Sequence, residues 1–174
     1  MEKILIVVDM QKDFITGALG SPATQAVVEP IARVLAQYRK NGWQILYTAD
    51  THTPAEYSDA LSQESKRIPR HCIKGEEGWE IVDALRPQPG ERVVEKPSFG
   101  SLDLAREIGP VTPQTEIELC GVCTDICVVS NALGLRASFP QNKIAVLEDC
   151  CAGTSNENHK AALAVMQSCL VDIR

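Results

Sequence analysis

The chain has no excess of basic charge. Its 174 residues carry 17 Lys and Arg against 23 Asp and Glu, a formal net charge of −6. A surface of that sign repels phosphates, which argues against nucleic acids and anionic membranes as partners. No apolar run approaches the roughly 20 residues of a membrane-spanning helix. Met1-Glu2-Lys3 leads straight into ILIVVD, too short and too soon acidic for a secretory signal. A cytoplasmic location is the expectation. Internal repeats, low-complexity tracts and linkers are missing too, so one domain over residues 1–174 is expected. With 44% hydrophobic residues it can bury a sizeable core. The seven cysteines are an odd set in a chain that needs no staples, and they read as reduced thiols rather than a disulfide framework.

What is present alternates. Ile4–Val8 (ILIVV) is a continuous β-branched run, the pattern of a strand buried on both faces. Gln44–Thr48, Val93-Val94, Ile117–Leu119 and Ile144–Leu147 read as further strands, and Leu170–Ile173 as a last one. Ile31, Val34, Leu35 and Tyr38 recur at helical spacing, with Pro30 tolerated in the first turn and Asn41-Gly42 as the stop. Helical patterns also cover Trp79–Leu85, Leu102–Ile108, Thr124–Ala137 and Asn158–Ser168. Strands alternating with helices predict a parallel sheet covered on both faces, with ligands beyond the carboxyl ends of the strands. Thr51–Gly78 stands apart as a long, polar, nearly aperiodic segment, and loops of that length are usually functional.

Polar groups with chemical potential cluster just past the strands: Asp9, Asp50 with His52, Lys96, and the GVCTDIC segment from Gly121 to Cys127. Taken singly they are weak signals. An aspartate often caps the turn after a strand, and a lysine usually faces solvent. Cys127 is more informative. Thr124 or Asp125 capping the next helix would put it in the first turn, where free N–H groups favour a thiolate. The plain alternative is a small hydrophobe on a core helix. Cys120-Gly-Val-Cys123 spells C-x-x-C. Its first cysteine closes an apolar strand, however, and adjacent Cys150-Cys151 do not have zinc-ligand spacing, so redox and zinc-thiolate roles are set aside. Asp50 and His52 at i, i+2 can reach one ion, with His71 as another ligand and Glu56 or Glu64 as the third kind of group. Only three histidines exist, and two lie around this loop. The third, His159, reads as an exposed helix start without a role.

Together these motifs resemble the isochorismatase-like cysteine hydrolase superfamily, and within it the nicotinamidases. VDMQKDF (Val8–Phe14), TADTH (Thr48–His52), ESKRIPRHCIKG (Glu64–Gly75), EKPSFG (Glu95–Gly100) and GVCTDICV (Gly121–Val128) occur in the family's order and span nearly the whole chain. The resemblance implies a three-layer α/β/α fold with a doubly wound, mostly parallel sheet. It implies a catalytic triad of Asp9, Lys96 and Cys127, a cis peptide before Cys123, and an oxyanion hole from the backbone N–H groups of Cys123 and Cys127. It assigns one divalent transition metal, zinc first and iron or manganese next, to Asp50, His52, Glu64 and His71, with Glu56 kept as the alternative third ligand. Phe14 and Phe99 would line the pocket. Ile68 would too, in a position where nicotinamidases often carry an aromatic residue. The implied activity is release of ammonia from a small amide, nicotinamide first, through a thioester, in a homo-oligomer. The alternatives are another amide or carbamoyl substrate, hydrolysis of isochorismate, or a non-catalytic binding or redox protein.

Overall fold

The ILIVV run forms the middle of the protein. In the computed structural model, which describes residues 2–174, it is strand β1 (Lys3–Val8), with Leu5 to Val8 fully buried. Strands β2 (Gln44–Asp50), β3 (Arg92–Lys96), β4 (Glu116–Val122), β5 (Lys143–Ala152) and the short β6 (Asp172–Ile173) complete one sheet in the order β3-β2-β1-β4-β5-β6. Every pairing is parallel. The chain winds outward from β1 to β3, then crosses back to β4 and winds the other way. Right-handed crossovers therefore place the helices of the two halves on opposite faces, and the order reverses between β1 and β4.

The longer helices follow their sequence patterns. α1 (Lys12–Ile15) and α2 (Pro22–Ala26) are short and precede α3 (Val28–Lys40), which buries Ile31, Leu35 and Tyr38. α4 (Pro54–Ser58) is a single turn inside the long polar segment. α5 (Leu104–Ile108), α6 (Val129–Ser138) and α7 (Asn156–Ser168) cover the other half, α7 being capped by the Ser155 side chain on the Asn158 N–H. One continuous core joins both faces of the sheet. No helix among the described residues is long and apolar enough to cross a membrane.

Two expectations are corrected. Trp79–Leu85 is not a helix but two 3₁₀ turns, Glu77–Trp79 and Asp83–Leu85. Between them Ile81 bridges Gln11, and the Val82 N–H donates to the Met10 carbonyl at 3.0 Å, so backbone groups that a helix needs are already used. The helix expected from Leu102 starts at Leu104, because Leu102 stands in solvent and only Leu104 and Ile108 form the buried i, i+4 pair.

Candidate active site

The reversal between β1 and β4 leaves a crevice beyond their carboxyl ends, and the chain lines it with charge. Asp9 leaves β1 in the left-handed conformation (φ 49°), which aspartate tolerates. β4 can lie close beside β1 only because position 121 is glycine: φ is 119°, and a Cβ there would sit 2.1 Å from the Val8 carbonyl oxygen. The Val122–Cys123 peptide that follows is cis. Asp50 and Lys96 are register partners at the ends of β2 and β3. Thus four strand ends deliver four groups into one place.

Asp9, Lys96 and Cys127 meet there, all buried. The Lys96 ammonium lies 2.7 Å from Asp9 Oδ2 and 3.3 Å from Asp50 Oδ1. It donates to the Ser98 carbonyl at 3.0 Å and approaches Cys127 Sγ at 3.6 Å. Burial works against its charge, but Asp9, Cys127 and Asp50 outweigh burial and hold the ammonium protonated. The Thr48 hydroxyl donates to Asp9 Oδ1 at 2.6 Å and fixes the carboxylate. Burial raises the Asp9 pKa, Lys96 opposes the rise and Asp50 adds to it. The Cys127 thiol is pushed well up by burial first and by Asp9 next, with Lys96 pulling the other way. The resting sulfur is therefore held towards its protonated form. Neither Thr124 nor Asp125 caps a helix: Cys123 precedes a π turn, Thr124–Val128, that carries Cys127.

Beside this triad, Asp50, His52, Glu64 and His71 offer four ligand atoms within 4.8 Å of one another, all from buried residues. Asp50 Oδ2 is 3.3 Å from His52 Nε2 and 3.2 Å from His71 Nε2. Glu64 Oε1 is 3.6 and 3.5 Å from the same nitrogens. His71 Nδ1–H must donate to the Pro69 carbonyl at 2.7 Å, since a carbonyl only accepts, so a neutral ring presents its Nε2 lone pair to the group. Burial lowers the imidazole pKa values, but Asp50 and Glu64 reverse this and lift His52 to about 10 and His71 to about 9, so a metal bound here would take the place of a proton on each ring. Glu56 is not in the group. Its Oε2 accepts from the Thr53 N–H at 2.6 Å, while its Oε1 lies 3.7 Å from His52 Nδ1, on the far side of that ring.

Among the described residues, the buried Asp9 Oδ2 has only the Lys96 ammonium beside it, at 2.7 Å, and the buried Glu64 Oε1 makes no hydrogen bond. Such groups are costly to bury without a function. The first stands where a thiol proton can be taken, despite its close approach to Lys96. The second stands in a set of nitrogen and oxygen donors that suits zinc, iron or manganese. Glu64 lines a cavity of about 310 Å³, small for a ligand pocket, whose walls also include Phe14, Ile68, His71, Phe99 and Cys127.

Several supporting residues carried no sequence signal of their own. Gln11, fully buried, grips the Asp50 backbone: its amide donates to the Asp50 carbonyl and accepts from the Asp50 N–H, both at 2.8 Å. Tyr57 Oη lies 2.9 Å from His71 Nδ1. His159 is half-buried rather than exposed, its Nδ1 2.8 Å from the Thr124 hydroxyl, so it ties α7 to the turn that carries Cys127. Asp125 ties the connection before α7 to the same turn by accepting from the Thr154 N–H at 2.8 Å.

Comparison with known proteins bears on the family and the fold. The Isochorismatase domain family matches residues 3–174. Among solved structures, the pyrazinamidase of Pyrococcus horikoshii in complex with zinc superposes with a TM-score of 0.84 at 26% identity, covering 100% of this chain and 99% of that one. The nicotinamidase/pyrazinamidase of Bacillus subtilis gives 0.83 at 27% identity, with 99% of each chain covered. The N-carbamoylsarcosine amidase of Thermoplasma acidophilum gives 0.80 at 30% identity, covering 100% of this chain and 96% of that one.

Proposed function

The chain belongs to the isochorismatase family, and we propose that it is a cysteine amidohydrolase that releases ammonia from a small aromatic amide, nicotinamide first. The observation that carries this reading is the buried trio of Lys96 between Asp9 at 2.7 Å and Cys127 Sγ at 3.6 Å, at the wall of an apolar cavity. The Cys127 thiol gives its proton to Asp9, whose raised pKa makes it a competent base, and the sulfur attacks the amide carbonyl. The developing oxyanion is received by the backbone N–H groups of Cys123 and Cys127. As the C–N bond breaks, Asp9 returns the proton to the departing nitrogen and a thioester remains. Water then attacks the thioester, Asp9 takes one of its protons, and the acid leaves as the proton returns to sulfur. Lys96 stays charged throughout and balances the anion that moves between Asp9 and Cys127.

Asp50, His52, Glu64 and His71 fit one divalent metal, on the evidence of the uncommitted Glu64 oxygen and the inward Nε2 atoms. Zinc, when bound, would supply a Lewis-acid contact for a ring nitrogen of the substrate. Phe14 and Phe99 take the ring faces, and Ile68 covers the ring with less contact than an aromatic residue gives. Protein prepared without chelator is expected to hold close to one equivalent of metal by elemental analysis. His52→Ala and His71→Ala should each lose it, and Glu64→Ala should lose more than Glu56→Ala. Metal lost from Glu56→Ala but kept by Glu64→Ala would move the ligand to Glu56.

The substrate test is ammonia release from nicotinamide, benzamide and N-carbamoylsarcosine. Benzamide has the same shape without the ring donor, and a lost polar contact in a buried site costs about 1–3 kcal/mol, roughly ten- to more than a hundredfold in kcat/KM. Nicotinamide should exceed benzamide by that margin, and Ile68→Phe should lower its KM. Preference for N-carbamoylsarcosine would leave the cysteine chemistry standing and replace the aromatic substrate with a carbamoyl one.

A further inference from the structure

Between β3 and α5 runs a loop, residues 97–101, with no hydrogen-bond ladder of its own, and Phe99 on it forms one wall of the cavity. Two side chains hold it. Lys96 donates to the Ser98 carbonyl at 3.0 Å from the strand side. From the other side comes Asn131, in the first turn of α6 and 2% exposed. Its amide nitrogen donates to the Cys127 carbonyl at 2.8 Å and to the Phe99 carbonyl at 3.2 Å. Its amide oxygen accepts from the Ser101 N–H at 3.0 Å. One side chain thus bonds the turn bearing the sulfur and, on both flanks of Gly100, the loop bearing the aromatic wall. Gly100 lets the two approach, since a Cβ there would meet the Ser130 Cβ at 3.3 Å.

We infer that Asn131 is a positioning residue that determines substrate specificity: its amide clips the Phe99 loop to the Cys127 turn and so sets the gap into which a flat ring must fit. A buried amide costs desolvation, and an apolar residue would fill the same space more cheaply unless the three bonds serve a purpose. Those bonds join two segments that follow different strands, and they tie the loop to the turn at Phe99 and Ser101, beyond the reach of the Lys96 contact at Ser98. The consequence is selective. An aromatic amide, which presses a ring face on Phe99, depends on the clip, whereas a short aliphatic amide reaches Cys127 without touching that wall. This inference rests on the amidohydrolase reading of the same site.

Asn131→Thr separates the two halves of the clip. A threonine hydroxyl can still bond back to the carbonyl four residues earlier, but it is too short to span to Phe99 and Ser101. In that variant hydrogen exchange at the Ser101 amide should quicken roughly tenfold or more, while amides in the middle of α6 keep their protection. KM for nicotinamide should rise about tenfold with kcat within about threefold, and kcat/KM for propionamide should hold. In a Phe99→Ala background the same change should add nothing to KM. Asn131→Asp, of equal size, sets a carboxylate against the Phe99 and Cys127 carbonyls and should raise KM similarly, which covers poor folding of the threonine variant. Unchanged Ser101 exchange would overturn the clip. A loss in kcat alone, or an equal loss for both amides, would overturn its role in specificity. Wild-type protein inert towards every amide would sink the functional reading instead, while the exchange measurement still reports on the clip.

Discussion

Replacing Cys127 by alanine is expected to lower turnover by roughly three orders of magnitude or more, because it removes the atom that, in the proposed mechanism, divides the reaction into two easier steps. The protein should stay folded: Cys127 is 4% exposed, and the change deletes a single sulfur from the cavity wall rather than a charge. Cys123→Ala is the control. Cys123 is half-buried at the same cavity, but the proposed mechanism uses only its backbone N–H, so most of the activity should persist. The environment also predicts how the thiol reacts. Burial and Asp9 keep the resting sulfur protonated, so alkylation should be slow at neutral pH and slower still with nicotinate bound. Mass spectrometry of trapped thioester after rapid quench would show the intermediate on Cys127. Finding it on Cys123, or finding the two alanine variants reversed in activity, would show that the nucleophile has been misplaced.

Lys96→Met is expected to cost both stability and activity, and for one reason. The ammonium is the positive partner of Asp9 at 2.7 Å and of Asp50 at 3.3 Å, with both carboxylates buried. Methionine keeps the volume and removes the charge, leaving two like charges close together away from water. Breaking a buried pair from one side costs about 3–5 kcal/mol, a large part of the stability of a domain this size. One of the two carboxylates should respond by taking a proton, and Asp9 is the candidate because burial and Asp50 already raise its pKa. A protonated Asp9 cannot accept from Cys127, so turnover should fall by more than about a hundredfold even in the folded fraction. Adding Asp9→Asn to Lys96→Met should then recover much of the stability and none of the activity. Denaturant melts of the single and double variants measure the first, and ammonia release the second. If the double variant is no more stable than Lys96→Met, the like-charge account is wrong.

The two results depend on features of different origin. The β-branched run Ile4–Val8 can be read as a buried parallel strand because every side chain of it is apolar, and the structure forms it so. Periodicity likewise reveals α3, with its stop at Asn41-Gly42, and α7, expected from Asn158 and formed from Asn156. These are local signals: backbone propensity and the spacing of apolar side chains act over a few residues. Position near a strand end made Asp9, Lys96 and the Gly121–Cys127 segment candidates, and the family resemblance picked Cys127 out of that segment. Trp79–Leu85 failed because its periodicity was right for a helix while its backbone groups were claimed by Gln11 and Met10, far away in sequence.

Everything that depends on direction and desolvation waited for the tertiary structure. The choice of Glu64 over Glu56 turns on which side of the His52 ring each carboxylate occupies, and a loop sequence does not encode that by itself. Gln11 and Asn131 are ordinary polar residues until the fold buries them against Asp50 and against Phe99. The protonation of Cys127 could not be read at all, because a thiol shifts down beside a lysine and up in a dry pocket, and only the packing says which effect is larger. The sequence by itself determined which segments become strands and which chemical groups stand at their ends, since both follow from neighbours along the chain. The reversal of strand order between β1 and β4 decided that those groups meet, because it is a relation between segments more than a hundred residues apart that no local pattern contains.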